Sequence, residues 1–204
     1  MNSIDLNSLE KKTFGSIFMD GLLDIQIGLI WIVVALNLIF DQYKIFLPVL
    51  FMIPILYWYL KKKVVAPRIG IVRFSKQRRK RMISIKVVIS AIVLLGIICT
   101  FLIQLKIIPG IDTGLPIAPV IIGTQLLLVF LFLGYFLQVN RLYFYGILIS
   151  AAFVVSEIII HQTEKLQAGA LPFLIASGIM VFMGFVLFLQ FLKKYPLPKE
   201  EDHV

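Results

Sequence analysis

One cysteine (Cys99) and two histidines (His161 and His203) are all that this 204-residue chain offers of the side chains that build disulfides and zinc sites. A single thiol cannot close an intrachain disulfide, and no Cys/His cluster has metal-ligand spacing. Cys99 lies in the middle of an apolar run and reads as an inert, buried thiol; no metal and no cofactor is expected. Enzyme signatures are missing too: there is no HExxH, no nucleophile elbow, no P-loop and no glycine-rich dinucleotide turn. Only Glu157 and His161, at i and i+4, resemble an acid–base pair, and they fall near an interface where solvation is expected. The composition therefore argues against an enzyme. Charge is also scarce, at 15% of residues against 60% hydrophobic, and a soluble domain of this size needs far more polar residues to cover its surface.

What the chain does have is long apolar runs, each near the ~20 residues that a helix needs to cross hydrocarbon. Six such spans can be counted, roughly 21–40, 43–60, 87–107, 117–139, 142–160 and 171–192. They read as helices because a lipid-facing backbone must satisfy its own hydrogen bonds. The expected fold is all-α, a polytopic transmembrane helix bundle. The first hairpin takes residues 20–60, a basic loop 61–86, and four further helices 87–192. Pro54, in the second span, is expected to kink it.

Charge orients the spans. The stretch "KKKVVAPRIGIVRFSKQRRKRM" (61–82) holds ten Lys or Arg and no acid. With the 61–86 loop in the cytoplasm, six spans put both termini there as well. Seventeen of the 20 Lys and Arg then face inward, and only Lys44, Lys106 and Lys165 face out. That is a strong positive-inside bias, and losing one span would scramble it. The first apolar run has no small-residue cleavage site after it and reads as an uncleaved signal-anchor.

Residues 1–19 form a cytoplasmic N-terminal segment. Leu6, Leu9, Thr13 and Ile17 near one helical face fit either an interfacial helix or a frayed tail. Residues 193–204 make a polar cytoplasmic tail. Residues 20–108 and 117–193 show no internal match of the kind an inverted-repeat transporter would carry.

Polar residues inside spans are the next candidates, because each is costly in lipid. Tyr143, Gly146, Ser150, Val154, Glu157 and His161 follow helical spacing along one side of the fifth span. At 1.5 Å per residue, Asn37, Gln104 and Glu157 lie roughly 5–6 Å below the outer boundary, and Thr100 and Gln125 about 12 Å. Asn37, Thr100, Gln104, Gln125, Glu157 and His161 could thus line an outward polar cavity with Glu157 as its ionisable centre. The alternative is that they make ordinary interhelical hydrogen bonds and sit as outer-interface groups.

Asp20 and Asp24 share one face at the cytoplasmic end of the first span. One reading is an acidic first turn that suits the helix dipole and pairs with the basic loop. The other is a cation or proton site made by two close carboxylates. Within the loop, Arg68 and Arg73 lie in "APRIGIVRF", where Pro67 and Gly70 suggest a shaped loop or short strand. Arg78, Arg79 and Arg81 belong to the plain basic run. All five are candidate contacts for phosphate or a partner. "DGLLDIQIGL" (20–29) followed by "APRIGIVRF" (66–74) resembles a pattern in small prokaryotic multi-pass membrane proteins. The resemblance implies a prokaryotic cytoplasmic membrane and nothing catalytic.

Two functions compete. The first is the handling of a small solute, ion or lipid, as a transporter or transporter subunit. The second is a non-transporting scaffold or regulatory subunit that docks a cytoplasmic partner or anionic lipid through residues 61–86. The expected partners are the bilayer, anionic phospholipid headgroups, and a second copy or a membrane complex. The position of the basic run between two spans, with no stacking pattern, argues against nucleic acid.

Overall fold

The computed structural model describes residues 19–40, 43–69 and 117–196, together with six separate helical positions between 87 and 98. All regular structure among these residues is helical. Helix α1 is Leu22–Phe40 and α2 is Tyr43–Leu60. A π-helical turn, Lys61–Val65, then leads into a short α3, Ala66–Ile69. Helix α4 is Ile117–Leu137, α5 is Arg141–Thr163, and a 3₁₀ turn, Leu166–Gly169, opens α6, Ala170–Lys194. Four helical segments are long and apolar enough to cross a membrane: Leu22–Phe40, Pro119–Leu137, Arg141–Thr163 and Leu166–Lys194. Large apolar side chains such as Leu128, Tyr135, Ile147 and Phe182 are exposed along them, as lipid-facing surfaces require.

Residues 61–86 were expected to form a loop, but the first part of that stretch is helical. Lys61 to Ile69 continue directly from α2, so "APRI" is helix and neither shaped loop nor strand. Gly70 to Phe74 and the rest of the loop lie outside the described residues, as do the N-terminal segment 1–18 and the tail beyond Pro196. Pro67 accounts for the π turn. It lacks the N–H that would bond one turn back and its ring crowds that carbonyl, so the chain widens just before it, with Ala66 N–H donating to Lys61 O. Pro48 and Pro54 lie inside α2, which runs through both.

The chain divides into two compact units, and the division cuts α1 and α6. The described part of the first unit is residues 19–33, 43–69 and 177–196. Its core is Leu22, Val65 and Phe191, with Ile25, Tyr57, Leu60, Phe188, Leu192 and Tyr195 packed around them. The start of α1, the turn after α2 and the end of α6 therefore meet at one place.

The second unit takes residues 34–40 and 117–176 of the described chain. Its centre is the α4–α5 hairpin. Gln138 adopts a left-handed conformation (φ 57°), and Val139 N–H donates to Gly134 O at 3.2 Å. That six-to-one bond is a Schellman closure, which satisfies the last carbonyls of α4. Small residues then allow the helices to touch: a Cβ on Gly134 would meet the Tyr143 ring, one on Gly146 would meet Phe130 Cβ, and one on Gly123 would lie 3.1 Å from Ser150 Oγ. Leu142, Tyr145 and Ile149 are fully buried in this unit. Phe153 meets Phe173 edge-to-face at 4.9 Å, and Ser156 Oγ donates to Gly169 O at 2.7 Å, joining α5 to the start of α6.

Candidate functional site

The most developed polar arrangement among the described residues lies in the first unit, at the start of α1. Asp20 and Asp24 are both fully buried. Asp20 Oδ1 accepts the Leu22 N–H at 3.1 Å, satisfying one of the open donors of the first turn. Its other oxygen lies 3.4 Å from Lys61 Nζ. Lys61 in turn donates to the Tyr57 hydroxyl at 2.9 Å. A basic side chain beside Asp20 thus comes from the stretch after α2, at the first residue of the π turn.

Glycines explain why these acids can be buried. Gly21, between Asp20 and Leu22, has φ +73°, a conformation open to glycine at little cost. A Cβ there would collide with Gly184 O and lie 2.8 Å from Phe188 N. A Cβ on Gly184 would lie 2.7 Å from Ile25 N and 2.9 Å from Asp24 Cβ, and one on Gly28 would lie 2.6 Å from Val181 Cγ2. The segment "DGLLDIQIG" (20–28) is therefore a helix-crossing device: its glycines let α1 lie backbone-to-backbone against α6.

Above the buried pair runs an aromatic–lysine ladder. Tyr57, Trp58 and Tyr59 precede Lys61, Lys62 and Lys63 by four residues each, the spacing that places side chains over one another on a helix. Lys63 Nζ donates to Tyr59 OH at 2.9 Å and stands 5.4 Å from the ring centroid. Those two distances put the ammonium beyond the hydroxyl edge, so the hydrogen bond, and not a cation–π contact, holds it. Lys62 Nζ is 5.2 Å from the Trp58 ring. Lys61 points inward, while Trp58, Tyr59, Lys62 and Lys63 are exposed. The run "YWYLKKK" carried this spacing in plain sight, whereas charge alone had assigned the lysines to a topological anchor.

The other described members of the expected outward cavity lie on three helices. Asn37 is half-buried on α1, Gln125 on α4 and Glu157 on α5, and His161 is exposed in the last turn of α5. The α4–α5 seam sets Gln125 and Glu157 apart. Phe130 lies against Gly146 and Gly123 against Ser150, so Glu157 is about two turns farther along α5 than the level of Gln125, roughly 10 Å. Tyr143, Gly146 and Ser150 of the expected stripe form that seam. Arg68 is half-buried on α3 and donates to Val64 O at 3.2 Å. Thr100, Gln104, Arg73, Arg78, Arg79 and Arg81 lie outside the described residues. Among the described residues no group of three or more His, Cys, Asp or Glu could hold a metal ion. No family model, curated protein or solved structure matches the chain.

Proposed function

We propose that the chain is a six-span protein of a prokaryotic cytoplasmic membrane, with its basic end and both termini in the cytoplasm. Its role on this reading is that of a non-transporting scaffold or regulatory subunit that engages anionic phospholipid at that end. The span count is supported by parity. Leu22 at the start of α1, Val65 after α2 and Phe191 near the end of α6 share one core, so an even number of crossings separates Val65 from Phe191. Pro119–Leu137, Arg141–Thr163 and Leu166–Lys194 supply three. On this reading a fourth falls between residues 70 and 116. Val87, Ser90, Ala91, Leu94, Leu95 and Ile98 there are helical, exposed and spaced along one face, as a lipid-exposed span would present them.

One observation carries the functional reading: this end joins a buried Asp20–Lys61 pair inside to exposed Trp58, Tyr59, Lys62 and Lys63 outside. Trp and Tyr favour the headgroup level of a bilayer, and Lys beside them attracts anionic lipid. Reconstitution in nanodiscs tests it. Replacing zwitterionic with anionic phospholipid is expected to raise the unfolding temperature; equal stability in both bilayers overturns the reading.

Glu157 favours a second reading, the handling of a small solute, ion or lipid. It is a half-buried carboxylate in an apolar 23-residue helix, and such groups commonly mark transport paths. Proteoliposome flux that disappears in Glu157→Gln supports it, and absence of flux in the native protein removes it.

A further inference from the structure

We infer that Tyr59 and Lys63, flanked by Trp58 and Lys62, form a discrete cradle for the phosphate of one anionic phospholipid. This rests on the reading that the basic end meets anionic lipid, and adds that the contact is a built site and not a diffuse field.

The chemistry follows from the hydrogen bond within the pair. Lys63 donates one ammonium N–H to the Tyr59 oxygen at 2.9 Å. Its other two N–H groups remain available, and so does the phenolic O–H, because the tyrosine acts there as acceptor. Three donors thus converge at one corner of the helix, the complement of a phosphate oxygen set. The bond also holds the lysine in one geometry, removing part of the rotamer entropy that a free surface lysine loses on binding.

Lys62 lies next along the π turn, which fits more residues into each turn than an α-helix and so separates neighbours by a smaller angle. Its ammonium stands 5.2 Å from the Trp58 ring centroid and adds a second positive charge one residue from Lys63. Trp58 and Tyr59, 63% and 50% exposed, offer flat apolar surface to glycerol and acyl carbons below the phosphate. Lys61 does not compete, being turned inward to Asp20. No Asp or Glu occurs from residue 61 to 82 to repel the headgroup.

The full chain, purified from nanodiscs of mixed phosphatidylglycerol and phosphatidylcholine, is assayed by native mass spectrometry for retained phosphatidylglycerol. Tyr59→Phe, which keeps every charge, is expected to lower retention about tenfold, the low end for the loss of one hydrogen bond to a charged group. Lys62→Gln with Lys63→Gln is expected to lower it tenfold or more, at about 1 kcal/mol for each lysine near an anionic surface. Lys193→Gln with Lys194→Gln, two exposed lysines at the end of α6, is the charge-matched control and is expected to retain lipid as the native chain does. Size exclusion and helical content verify that each variant is folded.

Equal losses from the two lysine pairs, or no loss in Tyr59→Phe, overturn the cradle while leaving general attraction to anionic lipid intact. Displacement of the lipid by millimolar inorganic phosphate overturns the assignment to a headgroup. A native chain that retains no phosphatidylglycerol above phosphatidylcholine removes both the cradle and the reading beneath it.

Discussion

Lys61 Nζ lies 3.4 Å from Asp20 Oδ2, with the carboxylate fully buried and the lysine 22% exposed. One end of the pair lies two residues before the start of α1 and the other is the first residue after α2, so the contact pins the beginning of α1 to the end of α2. Asp20 has no solvent exposure, and removing one partner of a buried ion pair costs up to about 3–5 kcal/mol. Lys61→Met is therefore expected to lower stability in detergent by about that amount. Asp20→Asn combined with Lys61→Met should recover a substantial part of the loss, because neither charge is then stranded. A denaturation series on the two single variants and the double variant checks this; purely additive losses would show that the residues do not interact.

The crossing of α1 and α6 depends on the absence of a methyl group at Gly184. A Cβ there would stand 2.7 Å from the Ile25 backbone nitrogen, whereas a Cβ on Gly178, two turns earlier on the same helix, meets nothing within 4 Å. Overpacking at a backbone contact costs roughly 1–3 kcal/mol. Gly184→Ala is expected to destabilise the chain by that much. Gly178→Ala should be neutral or gain up to about 1 kcal/mol from helix propensity. Thermal unfolding of the two variants side by side separates crossing from propensity, and similar behaviour of both would remove the close-contact account.

These two cases mark where the sequence could be read and where it could not. A run of some twenty apolar residues has one physical solution in lipid, and α1, α4, α5 and α6 lie within a few residues of the spans expected for them. Lys61 to Ile69 were misread because charge and a proline argue for a loop, yet a helix leaving the bilayer can carry lysines on a wetted turn and absorb Pro67 by widening. Asp20 and Asp24 were visible as a pair, and a basic partner was expected, but only folding identifies Lys61 as a partner of Asp20. Gly184 is one glycine in a greasy helix until Gly21 and Ile25 are set against it. For the polar residues of the outer half, depth measured from span boundaries did not include the α4–α5 register, which offsets Gln125 from Glu157.

Both hairpin exits of the second unit use left-handed residues that carry side chains. Gln138 has φ 57° and Glu164 has φ 55°, each at the end of a helix, where Glu164 N–H donates to Ile160 O at 2.8 Å. A left-handed L-residue costs roughly 1–2 kcal/mol, a penalty glycine escapes at the price of greater freedom in the unfolded chain. Gln138→Gly is accordingly expected to stabilise the chain by about 0.5–1 kcal/mol, and Gln138→Val, β-branched at the same φ, to destabilise it. Unfolding midpoints for the two variants should fall on opposite sides of the native value; the same sign for both would mean that backbone strain does not limit this turn.

Parity makes a prediction about topology that goes beyond hydropathy alone. If Val65 and Phe191 are on one side and three crossings lie in 117–194, residues 70–116 must cross an odd number of times, so Gln77 and Thr113 must face opposite compartments. Cys99 is the only native cysteine, so Cys99→Ala gives a clean background for single replacements. In right-side-out vesicles, Thr113→Cys should react with an impermeant maleimide, and Gln77→Cys should react only after the membrane is opened. Positive-inside charge gives the direction, since the stretch around Gln77 is the most basic in the chain. Labelling of both sites from one side would break the even count required by the shared Leu22, Val65 and Phe191 core. One of the three long helices would then have to lie along the membrane and not through it.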